Sequence, residues 1–132
     1  MRRLSREITL QVLFQSEFAP SLSVFELFQS LENEEADLES KKFAQSLLEG
    51  VSQNKAAIDA KIQAASQHWK LERMASVDRN ILRLAVYEIE FSREPLKPAI
   101  VINEAIELAK KFGTADSASF VNGVLDQIRK GL

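Results

Sequence analysis

A chain of 132 residues with 45% hydrophobic residues holds enough apolar material for one core, and nothing in its length asks for a second domain. It has no cysteine, which excludes a disulfide framework and thiolate metal sites and fits a reducing compartment. The formal net charge of −2 excludes an indiscriminate polyanion binder, because non-specific nucleic-acid affinity rests on a surplus of Lys and Arg, so any nucleic-acid site must be local.

The opening Met1-Arg2-Arg3-Leu4-Ser5-Arg6-Glu7 runs from basic into mixed polar sequence without an apolar stretch or a small-residue cleavage site, and does not read as a signal peptide. No segment approaches the roughly 20 consecutive apolar residues of a membrane span. A cytoplasmic protein with residues 1–132 in a single domain is expected. From Leu4 to Phe18 the helical period places Leu4, Ile8 and Val12 on one side and Leu10, Leu13 and Phe14 on another, which predicts a first helix with two apolar faces. Ser23 is a candidate cap for a short second helix carrying Phe25, Phe28 and Leu31. The acidic run Glu32, Glu34, Glu35, Asp37 and Glu39 reads as a solvated loop.

A third helix is predicted from about Leu38 to Ser52, with Phe43, Leu47 and Val51 on its stripe. Asn54 is expected to cap a fourth, whose Ile58, Ile62 and Ala65 form a seam closed by Trp69. Ser76 to Phe91 is apolar over so wide an arc that it predicts a central helix. Pro95 and Pro98 break the pattern, and a sixth helix follows from near Pro98, with Val101, Ala105, Leu108 and Phe112 in line and Gly113 as a left-handed stop. The last helix starts at Asp116 or Ser117 and carries Val121, Val124, Leu125 and Ile128. The fold class is therefore all-α, with about seven helices in one bundle or in two small bundles sharing a core.

Chemistry for catalysis is not visible. The single histidine, His68, has no recognisable acid and nucleophile for a triad and no cysteine for a zinc site. Glu104 and Glu107 share a helix face, but lack the Glu-x-x-His accompaniment of di-iron bundles. The four glycines are too dispersed for a phosphate-cradling loop. Neither a metal nor a cofactor is expected. Binding leaves clearer traces. On an ideal helix Arg2, Arg3 and Arg6 fall within roughly 100° of arc, where three permanently charged guanidinium groups could reach one phosphate backbone. Two roles are open to Phe120, a core edge or an exposed platform for an unpaired base. Two are open to Asp116, helix cap or acceptor of a base or ribose hydrogen bond. Gly123, costing about 1 kcal/mol relative to alanine in a helix interior, suggests close helix approach or ligand access.

The runs Val77-Asp78-Arg79-Asn80-Ile81-Leu82-Arg83-Leu84-Ala85, Ile102-Asn103-Glu104-Ala105-Ile106-Glu107-Leu108-Ala109-Lys110 and Phe120-Val121-Asn122-Gly123-Val124-Leu125-Asp126 resemble the NusB family of bacterial transcription antitermination factors. Leu13-Phe14-Gln15, Gly50-Val51 and Ile58-Asp59 extend the resemblance over essentially the whole chain. It implies two packed three-helix subdomains and no catalysis. It also implies binding of boxA-type single-stranded RNA from ribosomal RNA operons, together with the small-subunit ribosomal protein NusE, within the RNA polymerase antitermination complex. Carried over by position, Arg2, Arg3, Arg6, Asp116 and Phe120 fall on the RNA surface, and Phe14 and Asp78 on or near the protein-partner face. Leu4 and Ser119 stand where some relatives carry basic residues, which implies a weaker electrostatic grip. The free protein is expected to be a monomer or a homodimer. The alternative, a helical interaction scaffold with no RNA role of its own, rests on the acidic net charge and the two apolar faces of the first helix.

Overall fold

The computed structural model describes residues 2–31 and 36–132, and Glu32, Glu34 and Glu35 of the acidic run lie outside them. Seven α-helices occur among the described residues: α1 (Arg2–Phe18), α2 (Val24–Ser30), α3 (Leu38–Gln53), α4 (Lys55–Ala65), α5 (Ser76–Val86), α6 (Pro98–Phe112) and α7 (Ser117–Lys130). A 3-10 turn at Leu71–Arg73 precedes α5, and a π-helical turn at Tyr87–Phe91 continues it. No helix among the described residues is long and apolar enough to cross a membrane.

Two of the helix starts are capped by side chains. Ser23 Oγ accepts the Glu26 amide at 3.1 Å while the Glu26 carboxylate accepts the Ser23 amide at 3.3 Å, a reciprocal box that holds the short α2. Asp37, the end of the acidic run, caps α3 by accepting the Ser40 amide at 2.8 Å, and that bond holds its carboxyl below the usual range. Asn54 does not cap α4. Its side-chain amide instead donates to the Gly50 carbonyl at 2.8 Å, a second bond to an acceptor that already takes the Asn54 backbone amide at 3.2 Å at the end of α3. Gly113 does end α6, but in extended conformation (φ −95°), not left-handed. A Cβ there would collide with Ser117, whose hydroxyl accepts the Thr114 amide at 2.9 Å.

α5 is the hub. It packs against α1, α3, α4, α6 and α7, and every residue from Asn80 to Val86 is buried, as its wide apolar arc required. α1, α2 and α3 pack on one another, while α4 joins α5, α6 and α7, so the two expected subdomains are present with four helices in the second. One cluster of buried residues runs through both, from Leu10 and Leu13 through Leu48 and Ile81 to Leu125 and Ile128. Both apolar faces of α1 are consumed internally except at Phe14: Leu10, Val12 and Leu13 enter that cluster, and Ile8 meets Ala36 and Ala44 in a smaller one.

The predicted helix Ser76 to Phe91 is continuous, but its last turn widens, with the Ser92 amide donating to the Tyr87 carbonyl five residues back at 2.9 Å. The widened turn presses Tyr87 onto α3 at Gly50, where any Cβ would overlap the phenol ring. It also buries Glu88 against α1.

Candidate nucleic-acid interface

The first turns of α1 do not present the three arginines together. Arg2 is exposed, with its guanidinium 3.9 Å from the centre of the Phe43 ring on α3. Arg3 turns toward α6 and grips Glu104 with two bonds of 3.1 Å, which hold the Glu104 carboxyl below its ordinary range. Arg6 lies between them and points inward. Only 5% exposed, it donates two bonds of 2.8 Å to Glu88, itself 4% exposed. The arrangement sets Arg6 apart from Arg2 and Arg3: its donors are spent on a buried carboxylate, and withdrawing them would leave that charge unpaired in a dry interior.

Arg3 and Glu104 belong to a charged groove of about 330 Å³ between α1 and α6, along which Lys111 also pairs with Glu7 at 2.9 Å. Glu104 is thus committed to Arg3, while Glu107 stands 4.0 Å from Lys110. No group of three or more His, Asp or Glu side chains able to hold a metal occurs among the described residues. α1 and α7 are joined through α6: α7 packs mainly on α4, α5 and α6, and the Lys111–Glu7 bridge ties the end of α6, just ahead of α7, to α1.

Asp116 stands at the start of α7 with its side chain exposed and making no cap bond, so the cap role is absent and the carboxylate is open to solvent. One turn on, Phe120 is half-buried at the core edge, and Trp69 meets it edge-on, with centroids 6.2 Å apart and planes at 85°. Trp69 does not close the α4 seam, because α4 ends at Ala65 and the indole is 59% exposed. Phe120 therefore takes the core-edge position, with part of its ring left at the surface. Gly123 is not explained by close helix approach, since a Cβ there would meet nothing within 4 Å.

At the other end of α1, Phe14 is half-exposed and packs its ring 5.0 Å from that of Phe18, which is 71% exposed. Between them in sequence, Glu17 accepts hydrogen bonds from Ser76, Arg79, Asn80 and Arg83 of α5, and Arg83 also grips Asp59 at 2.8 and 3.1 Å. Burial opposes ionisation of Glu17, but these donors overcome it and hold its carboxyl below the ordinary range. The network pins the end of α1 to the first turns of α5, where Asp78 lies with a buried carboxylate oxygen that has no hydrogen-bond partner among the described residues. Sequence reasoning missed Glu17, Arg83 and Phe18. The i, i+4 aromatic pair was readable, whereas the ion network joins residues far apart in the chain.

Fold and surface together define a small all-α binding domain, one that offers guanidinium groups, exposed aromatic rings and a solvent-facing carboxylate. The pattern of the NusB family matches residues 3–130. A protein of Bdellovibrio bacteriovorus named transcription antitermination protein NusB is 57% identical over 129 residues, covering 98% of this chain and 95% of that protein. The solved structure of T. maritima NusB superposes with a TM-score of 0.91 at 38% identity, covering 98% of this chain and 91% of that one. A structure of antitermination factors NusB and NusE in complex with dsRNA matches with a TM-score of 0.79 at 28% identity, over 99% of this chain and 97% of that chain. The chain belongs to the NusB family.

Proposed function

We propose that this chain is a cytoplasmic transcription antitermination factor that acts by binding and not by catalysis. It takes up boxA-type RNA of ribosomal RNA operons together with NusE and joins the RNA polymerase antitermination complex, where it suppresses premature termination. The observation that carries this reading is the end-to-end similarity to the Bdellovibrio antitermination protein. The relative solved with NusE and RNA supports it. All of residues 1–132 serve as one domain.

On this reading Arg2 and Arg3 hold phosphates, Arg3 exchanging Glu104 for the RNA backbone, while Asp116 and Phe120 meet bases. Arg6 holds α1 in place from inside. Phe14, together with Phe18, and Asp78 form the NusE face. The exposed Phe14–Phe18 pair suits a protein partner, since an aromatic pair left in water gains by being covered.

The test is a fluorescence-anisotropy titration of a labelled boxA-type RNA, single-stranded and as a duplex, with and without NusE, at two salt concentrations. Binding is expected to weaken with salt and to tighten with NusE. Arg3→Ala should lower the salt slope by about 1, and Phe120→Ala should weaken binding at every salt concentration. If both variants bind as the unaltered protein does, the surface is misassigned.

A further inference from the structure

Beside Phe120 lies a recess of about 250 Å³, lined by Ser66, Gln67, His68 and Trp69 after α4 and by Ser119, Phe120 and Gly123 of α7. Its size is below the roughly 300–1,000 Å³ of sites for drug-sized ligands, and it suits a single planar ring system. Trp69 and Phe120 stand at right angles as two walls.

Two features are costly for the free protein and unexplained by its packing. The first is Trp69, a large apolar ring 59% exposed on a backbone segment held by several hydrogen bonds. The Gln63 side chain donates to the Trp69 carbonyl at 2.8 Å and accepts the Leu71 amide at 2.9 Å, and the Trp69 amide donates to the Ser66 carbonyl at 2.9 Å. Arg79 braces the next turn through the Leu71 and Met74 carbonyls, at 3.1 and 2.9 Å. A segment left merely in solvent has no need of such bracing, whereas a stacking platform must be ordered before its ligand arrives. The second is Gly123, inside α7, where glycine weakens the helix relative to alanine. No neighbour requires it: an added Cβ would enter open space, on the side of α7 that lines the recess. Asp116, Phe120 and Gly123 follow at spacings of four and three, along one stripe of the helix.

We propose that this recess receives one unpaired nucleobase of the bound RNA, which stacks on the Trp69 indole and passes over Gly123. Gln67, His68 and Ser119 at the rim supply polar groups for the base edge. The inference rests on the RNA-binding reading above and adds Trp69 and Gly123 to its surface. An unpaired base is favoured over a protein side chain because the recess shares Phe120, and the face of α7 that begins at Asp116, with the proposed RNA surface.

Trp69 is the only tryptophan of the chain, so its emission reports on the recess alone. The experiment titrates the full chain with a boxA-type single-stranded RNA, following both the anisotropy of the labelled RNA and tryptophan emission. Stacking should quench the emission along the same curve as the anisotropy. Trp69→Leu should weaken binding about tenfold, the loss of one base–aromatic stack, and Trp69→Phe should recover most of it. Gly123→Ala should raise the melting temperature and yet weaken binding several-fold, a pairing that no folding defect can produce. The inference is overturned if RNA binds with unchanged emission and both Trp69→Leu and Gly123→Ala bind normally, or if NusE alone, and not RNA, quenches Trp69. Absence of any RNA binding by the unaltered protein, with or without NusE, sinks the parent reading instead.

Discussion

Of the three arginines at the start of α1, two are surface cations and the third is a buried tie, and substitution should separate them. Arg2 and Arg3 are exposed, so alanine at either leaves the core intact and reads out in RNA affinity. Arg6 is bound twice by Glu88, and both are buried. Arg6→Ala leaves a carboxylate in the interior without its counter-charge and should destabilise the fold by about 3–5 kcal/mol. The measurement is the denaturant midpoint. A loss under 1 kcal/mol would mean that Glu88 finds another partner or takes up a proton without difficulty. The helical wheel put the three arginines within one arc and left their individual fates undecided, because the choice is made by Glu104 and Glu88, which lie about a hundred and about eighty residues further along the chain.

At the scale of elements, α3 and α7 each carry a glycine in the helix interior, and the two have opposite reasons. In α3, Gly50 is the floor on which the Tyr87 ring of the π-helical turn rests. Gly50→Ala gains helix propensity worth about 1 kcal/mol, but forces the ring aside at an overpacking cost of about 1–3 kcal/mol. The melting temperature should fall, and the added change Tyr87→Leu should restore part of the loss. A melting temperature that rises on Gly50→Ala alone would show that the ring has room to move. In α7 the glycine faces open space, and the same substitution is expected to stabilise. From sequence Gly123 left close helix approach and ligand access both open and Gly50 gave no sign of its neighbour, since what separates them is a ring contributed by another element.

Over the whole molecule, α1 couples the two groups of helices through charge as well as apolar packing. Arg6 reaches Glu88 near one end, and Glu17 gathers Ser76, Arg79, Asn80 and Arg83 of α5 at the other. Glu17 ionises below its ordinary value of about 4.3, so its contribution to stability is complete above that pH and is lost as the pH falls through the lowered folded value. Acid unfolding should therefore steepen below about pH 4. Glu17→Gln should flatten that limb and cost about 2 kcal/mol at neutral pH, since buried donors then face a neutral acceptor. Urea midpoints measured between pH 3 and 7 check it, and an acid limb unchanged by the substitution would assign the loss to other carboxylates.

The helices and their apolar stripes were legible in the order of residues, because helix period, caps and proline breaks are local properties. Ser23 heads α2, the arc of α5 is buried whole, and Val121, Val124, Leu125 and Ile128 line α7. The same local signals misled at Asn54 and Trp69, where the chain leaves the helical path and the side chains take partners outside it. Only the tertiary structure decided that Arg6 turns inward, that Glu17 ties α1 to α5 and that Trp69 stands against Phe120 over an open Gly123. Each depends on side chains that meet only after distant segments have packed, and periodicity along one segment holds no information about what lies across from it.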